Sequence, residues 1–219
     1  AVAVEQKHTM MSPLEFRRLG TRDYAAMMTE MRDWTRTRGS QTHDEIWFLE
    51  HAPVYTQGVS CSESVRAGGR KIPLLKSDRG GQITYHGPGQ LVAYLLLDLR
   101  RLGLGVRQLV SLIETSLITL LDQFGLDAAT RPGAPGVYVD GEKIAALGLR
   151  VRSGCCYHGL SLNVDVDLAP FSRINPCGFS GLRVTSLKAQ GLAVTVGDAA
   201  DTLEKILRSQ LLAQMSHKA

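Results

Sequence analysis

The chain has 219 residues, 44% hydrophobic and 21% charged, with a formal net charge of +4 at neutral pH. This composition excludes an intrinsically disordered chain and is enough for one large domain or two small ones. The 18 Arg and 7 Lys are scattered with no long run of like charge, which argues for an acidic partner and against a nucleic-acid arm.

Residues 1–11 lack periodicity and read as a loose tail ahead of a single domain over 12–219. The opening AVAVEQKHTMMSPLEF has no apolar signal core. Residues 14–19 predict a first strand. Residues 21–38 predict a helix, with Tyr24, Met27, Met28, Met31 and Trp34 at three-to-four spacing and Gly39 as its stop. EIWFLEHAPVYTQG (45–58) reads as two short strands around Pro53. The mixed, charged stretch 60–78 reads as a mobile loop. LVAYLLLDL (91–99) is apolar almost throughout, as expected of a strand covered on both faces.

Residues 106–124 give the clearest helix, its stripe formed by Val106, Leu109, Val110, Ile113, Leu117, Leu120, Leu121 and Phe124, with Gly125 ending it. VYVDGEKIAALGLRV (137–151) contains two strand-like runs around Asp140–Gly141, a strong hairpin signal. SLNVDVDL (161–168) alternates like a strand, and 198–215 predicts a last amphipathic helix with Leu203, Ile206, Leu207 and Leu211 inward. Hairpins mixed with separated helices, without a repeat period, favour one α+β domain over a regular parallel sheet. The longest uncharged stretch, 80–97, is interrupted by Gln, Gly, Pro and His and is no membrane span.

Four cysteines, Cys61, Cys155, Cys156 and Cys177, show neither C-x-x-C nor zinc-finger spacing, so reduced thiols in a cytoplasmic setting and no metal are expected. Cys177 sits in INPCGFSG (174–181), where Pro176 and Gly178 mark a surface turn. A thiol there is either a half-buried structural residue or a nucleophile held by a shaped loop. RGGQITYHGPGQ (79–90) is either a glycine turn or a close backbone approach to a ligand. It is not a P-loop or dinucleotide fingerprint. Lys143 heads the apolar run KIAALGL. It is either solvated or desolvated enough to serve as a base or as a cation beside a thiolate. CCYHGLSLN (155–163) repeats the Tyr-His-Gly triplet of 85–87, so a His–Cys pair using His86 or His158 remains open.

Taken together, RGGQITYHGPGQ, RPGAPGVYVDGEKIAALGLRV and YHGLSLNVDVDLAPFSRINPCG closely resemble the lipoyl(octanoyl) transferases, over residues 45–187. The resemblance implies the α+β fold shared with lipoate and biotin protein ligases, a mixed sheet flanked by helices. It implies octanoyl transfer from octanoyl-acyl carrier protein to the target lysine of lipoyl domains through an acyl-thioester, the first step of protein lipoylation. Acceptors are then the lipoyl domains of 2-oxoacid dehydrogenase E2 subunits and the glycine cleavage H protein. The enzyme is expected to be a cytoplasmic monomer with no cofactor, nucleic acid or membrane.

In residues, the resemblance makes Cys177 the nucleophile and Lys143 the partner that lowers the thiol's pKa. Substrate contacts fall on Arg79, Gly80, Gly81, Gln82, Ile83, Thr84, Tyr85 and His86, on Ala146, Leu147 and Gly148, and on Gly159, Leu160 and Ser161. His158 is an auxiliary candidate. Some relatives carry Cys and Ser where this chain has Ala145 and Ala146, a difference that removes a hydroxyl and leaves the backbone groups.

Overall fold

The apolar run seen in the sequence is strand β6 (Gln90–Asp98), and both of its faces are covered. The computed structural model describes residues 14–61, 65, 71–175 and 181–216. Before β6 come β1 (Leu14–Arg22), α1 (Tyr24–Thr37), β2 (Asp44–His51), β3 (Val54–Gln57), β4 (Leu74–Lys76) and β5 (Ile83–His86). After it come α2 (Leu99–Leu102), α3 (Val106–Gln123), β7 (Val137–Val139), β8 (Glu142–Arg152), β9 (Cys155–Asn163), a 3-10 turn at Ala169–Arg173 and α4 (Val196–Ser216). Six strands form a mixed sheet ordered β1-β2-β6-β9-β8-β7, parallel only between β1 and β2. A second sheet, ordered β4-β3-β5, is parallel between β3 and β4 and antiparallel between β3 and β5.

Side chains alternate across a strand, so β6 divides its apolar residues between two cores. Leu91, Ala93, Leu95 and Leu97 pack with Leu109, Ile113 and Leu117 of α3 and with Leu203, Leu207 and Leu211 of α4. Val92, Tyr94 and Leu96 face the other way, toward Met27 and Met31 of α1 and Trp47 of β2. A third cluster under the small sheet joins Tyr55, Tyr85, Phe171 and Ile174.

Local chemistry fixes the element ends. Asp23 caps α1 by accepting from the Ala26 N–H at 2.8 Å. Thr195 and Asp198 cap α4 reciprocally: the Asp198 N–H donates to Thr195 Oγ1 at 3.1 Å, and the Thr195 N–H donates back to Asp198 Oδ2 at 3.1 Å. Asp140 (φ 49°) and Gly141 (φ 77°) make the tight turn that joins β7 to β8.

The α+β mixed-sheet architecture is as the sequence implied, with three local corrections. Residues 60–78 are not all loop, because Leu74–Lys76 pairs beside β3 as β4. The strand expected at 161–168 lies earlier, over Cys155–Asn163; its apolar and polar alternation continues past Asn163, which pairs with Gln90, the first residue of β6, and there the pairing stops. In α3 the buried stripe runs through Leu112 and leaves Val106 47% exposed, because the stripe packs on α4 and the sheet only after the first turn. The tail 1–11 lies outside the described residues. Among the described residues, no helix is long and apolar enough to cross a membrane.

Candidate active site

Three neighbouring strands supply a floor. Val92, Ser161 and Ala146 are register partners across β6, β9 and β8, as are Tyr94, Gly159 and Gly148 one row further on. All six line a pocket of about 270 Å³, roofed by the 81–84 segment, Arg79 and Tyr24. Val92, Ala146 and Ile83 give its middle an apolar lining, while Ala145, Leu147 and Leu160 border it and pack into the α3–α4 core; its two ends are polar.

One end is built around Lys143, which the β7–β8 turn carries into the interior, where it is 3% exposed. Its Nζ donates to the Pro135 carbonyl at 2.9 Å and lies 5.3 Å from the Tyr138 ring centroid. Gly136 (φ 133°) permits this approach; a Cβ there would stand 2.6 Å from the Ala145 carbonyl oxygen and 3.1 Å from Nζ. The Lys143 backbone is held too. Its N–H donates to the Arg183 carbonyl at 2.9 Å, and its carbonyl accepts from the Thr185 N–H at 2.9 Å. Cys177 lies outside the described residues; the segment paired with Lys143 begins six positions after it in the chain.

A buried polar wall runs from this end along β6. Asn163 donates from Nδ2 to the Thr185 carbonyl at 2.9 Å and accepts at Oδ1 from Gln90 Nε2 at 3.0 Å. Gln90 Oε1 is therefore the acceptor for His86 Nδ1–H at 2.7 Å. Burial, then the neighbouring His51, lowers the His86 pKa to about 3, so the ring is neutral and keeps an acceptor lone pair at Nε2. His51 follows the same logic. Its Nδ1–H donates to the Arg22 carbonyl at 2.8 Å, so Nε2 accepts from the Tyr94 hydroxyl at 2.6 Å. Burial holds that imidazole at about 4. Tyr24 stacks on His86 with centroids 5.7 Å apart and bonds Ser77 through its hydroxyl at 2.7 Å.

The far end holds a buried cation. The Arg79 guanidinium donates to the Thr56 carbonyl at 2.7 Å, to Thr56 Oγ1 at 2.8 Å and to the Gly80 carbonyl at 3.0 Å. Among the described residues no carboxylate pairs with it, and burial draws its pKa down. Beside it, Asp78 accepts from His158 Nε2 at 2.8 Å, from the Tyr157 hydroxyl at 2.6 Å and from Arg32 Nε at 2.9 Å. Partial burial works against the Asp78 charge, yet the bonds from His158, Tyr157 and Arg32 hold its carboxyl well below the usual range.

The expected contact residues Arg79, Gly81, Gln82, Ile83, Thr84, His86, Ala146, Leu147, Gly148, Gly159, Leu160 and Ser161 all reach this one pocket, with Lys143 and His158. Gly80 and Tyr85 do not line it. Gly80 pins the loop to β8 through its N–H to the Leu149 carbonyl at 2.9 Å, and Tyr85 packs against Phe171 in the third cluster. Cys156 points into the α3–α4 core, where burial pushes its thiol up to about 12. Among the described residues no group of three His, Cys, Asp or Glu side chains is placed to hold a metal.

Sequence reasoning missed Tyr24, Thr56, Asp78, Tyr94 and Asn163. Tyr24 and Tyr94 read as members of apolar runs, where a buried hydroxyl that needs a partner was the available signal. Asp78 directly precedes the RGG loop and was visible only as one charge among several.

A family model described as the lipoyl protein ligase A/B catalytic domain matches residues 23–208. An octanoyltransferase of Azoarcus sp. (strain BH72) is 57% identical over 200 residues, covering 91% of this chain and 87% of the relative. One from Pseudomonas fluorescens (strain SBW25) is 52% identical over 204 residues, covering 93% of each. Among solved structures, the bipartite lipoate protein ligase of Thermoplasma acidophilum superposes with a TM-score of 0.67 at 19% identity, covering 91% of this chain and 83% of that one. Biotin protein ligase from Aquifex aeolicus gives 0.57 at 12% identity, covering 94% and 72%.

Proposed function

Because the chain belongs to the octanoyltransferase family, within the lipoyl protein ligase A/B catalytic-domain group, we propose that it passes an octanoyl group from octanoyl-acyl carrier protein to the target lysine of a lipoyl domain by way of Cys177. The observation that carries this reading is the placement of Lys143. It is a buried amine at one end of the slot, bonded through its backbone to the 183–185 segment that follows Cys177.

The chemistry uses an activated donor. Cys177 thiolate attacks the octanoyl thioester carbon, a new C–S bond forms, the bond to the carrier sulfur breaks, and the leaving carrier thiolate takes the proton of the Lys143 ammonium. A thioester replaces a thioester, so no ATP is needed. A free thiol, with a pKa near 8.5, is only a few per cent ionised at neutrality, and an adjacent ammonium raises that fraction. In the second half the lipoyl-domain amine, having given its proton to a base, attacks the acyl-enzyme, the amide forms and Cys177 leaves as thiolate. Lys143, once neutral, is that base. Six buried methylenes stabilise the bound chain by about 5 kcal/mol. The net charge of +4 suits an acidic carrier and lipoyl domain.

Intact-mass analysis after incubation with octanoyl-carrier protein tests this. One added octanoyl group, mapped to Cys177 and formed without ATP, is expected, followed by its transfer to a lipoyl domain. An ATP requirement with no acyl adduct would replace the reading with a ligase. Full-rate transfer by Cys177→Ser would remove the thioester.

A further inference from the structure

On β6 and β8 the pocket residues stop at one row of the floor, past which His158 of β9 alone among these three strands reaches the pocket. Along β6 the lining side chains are Gln90, Val92 and Tyr94, and along β8 they end at Gly148, the partner of Gly159, itself the partner of Tyr94. Gly148 has no side chain, and the Arg79 side chain lies across it: a Cβ at Gly148 would meet Arg79 Cδ at 3.1 Å and the Gly80 carbonyl oxygen at 3.1 Å. Arg79 is not free to swing away, since Thr56 and Gly80 hold its guanidinium through three nitrogens. We propose that Arg79, laid over Gly148, is the end stop of the acyl slot and sets the preferred chain length at eight carbons. This rests on the acyl-transfer reading given above.

The dimensions agree. The row of Gln90 and Asn163, next to Lys143, is four residues from the row of Tyr94 and Gly159, about 13 Å along the strands. An extended eight-carbon acyl chain, with C–C bonds of about 1.5 Å, is about 9 Å long. One contact distance of about 4 Å at its methyl end fills the remainder. Two more carbons would press methylenes onto a buried guanidinium and break its bonds to Thr56 and Gly80. Two fewer would leave apolar floor uncovered, at about fourfold in affinity per methylene.

Two variants move the stop in opposite directions. Gly148→Ala adds a methyl against Arg79 Cδ at the closed end and shortens the slot; Gly148 is not a positive-φ position, so alanine fits its backbone. Arg79→Ser opens the end. Titration of the folded protein with hexanoate, octanoate, decanoate and dodecanoate is expected to show tightest binding of octanoate. Dodecanoate should bind at least tenfold more weakly. The optimum should move toward hexanoate in Gly148→Ala and toward decanoate or beyond in Arg79→Ser. If Arg79→Ser does not fold, the shift in Gly148→Ala decides. Unchanged optima in the folded variants, affinity that keeps rising to dodecanoate in the wild type, or no binding of any chain would overturn the proposal. Transfer assays with the same four acyl-carrier proteins separate the two readings. An eight-carbon binding optimum without transfer overturns the transfer and leaves the stop standing. Equal transfer of octanoyl and dodecanoyl groups does the reverse.

Discussion

Asp78 binds His158 at 2.8 Å although His158 follows Tyr157, another Asp78 ligand, on the same strand. Consecutive strand residues normally point to opposite faces. His158 escapes that rule through a left-handed backbone, φ 61°, which stacks its ring on Tyr157 with centroids 5.1 Å apart. A carboxylate outside the pocket thereby fixes an imidazole that lines it.

Replacing Asp78 with Asn removes the charge that three donors share. Hydrogen bonds to charged groups contribute about 2 kcal/mol net, so a stability loss of that order is expected in urea unfolding. The imidazole titration of His158, followed by NMR, should move further down. Burial already lowers that pKa, and the opposing pull of Asp78 is then gone.

Acid should unfold the protein through its buried imidazoles. His51 at about 4 and His86 at about 3 stay neutral in the fold, whereas an unfolded histidine takes its proton near pH 6.5. Between those values the unfolded chain binds more protons, so stability falls as pH drops below 6.5 and the loss levels off only below the folded pKa values. At pH 5 the loss is on the order of 2 kcal/mol per imidazole. Asp78 adds to it at lower pH, because a carboxyl held below its usual range contributes stability that disappears on protonation. Urea midpoints at pH 7 and pH 5 measure the fall, and His86→Asn should reduce it.

Lys143→Ala and Lys143→Arg separate the lysine's two proposed roles. The alanine variant should shift Cys177 alkylation to higher pH and lower transfer by about 100-fold or more. Arginine keeps a cation at this position and cannot act as a base at neutral pH. Its alkylation profile should stay near the wild type while transfer to the lipoyl domain collapses. An unchanged alkylation profile in the alanine variant would break the pairing of Lys143 with Cys177.

Gly159→Ala should damage the sheet before it damages chemistry. The added Cβ would stand 2.0 Å from the Ala93 carbonyl oxygen, which is backbone and cannot turn aside. Separation of β6 from β9 at that row is expected to cost about 3 kcal/mol. Thermal unfolding and amide exchange at Ala93 and Tyr94 report it.

Elements whose pattern is local were legible in the sequence. The β7–β8 hairpin follows from Asp140–Gly141, and α4 from Leu203, Ile206, Leu207 and Leu211 with a polar opposite face. Of the candidate pocket, the Arg79–His86 stretch stood out by its glycines and Lys143 through the family resemblance, and the structure brings Arg79, His86 and Lys143 to one pocket. Its polar wall was not. Gln90 gains meaning only when Asn163, 73 positions later, meets its amide, and Tyr24 only when α1 is laid over His86. Alternation alone also misplaced the 161–168 strand, because a strand ends where its partner ends.

The backbone bridge between Lys143 and Val184 joins stretches about forty residues apart in the chain. Contacts of such separation form late, after loop-closure entropy has been overcome. A chain still emerging from synthesis thus holds its lysine without the 183–185 segment that pairs with it. On the proposed route through Cys177, competence to handle a thioester then arrives with the closing of the fold.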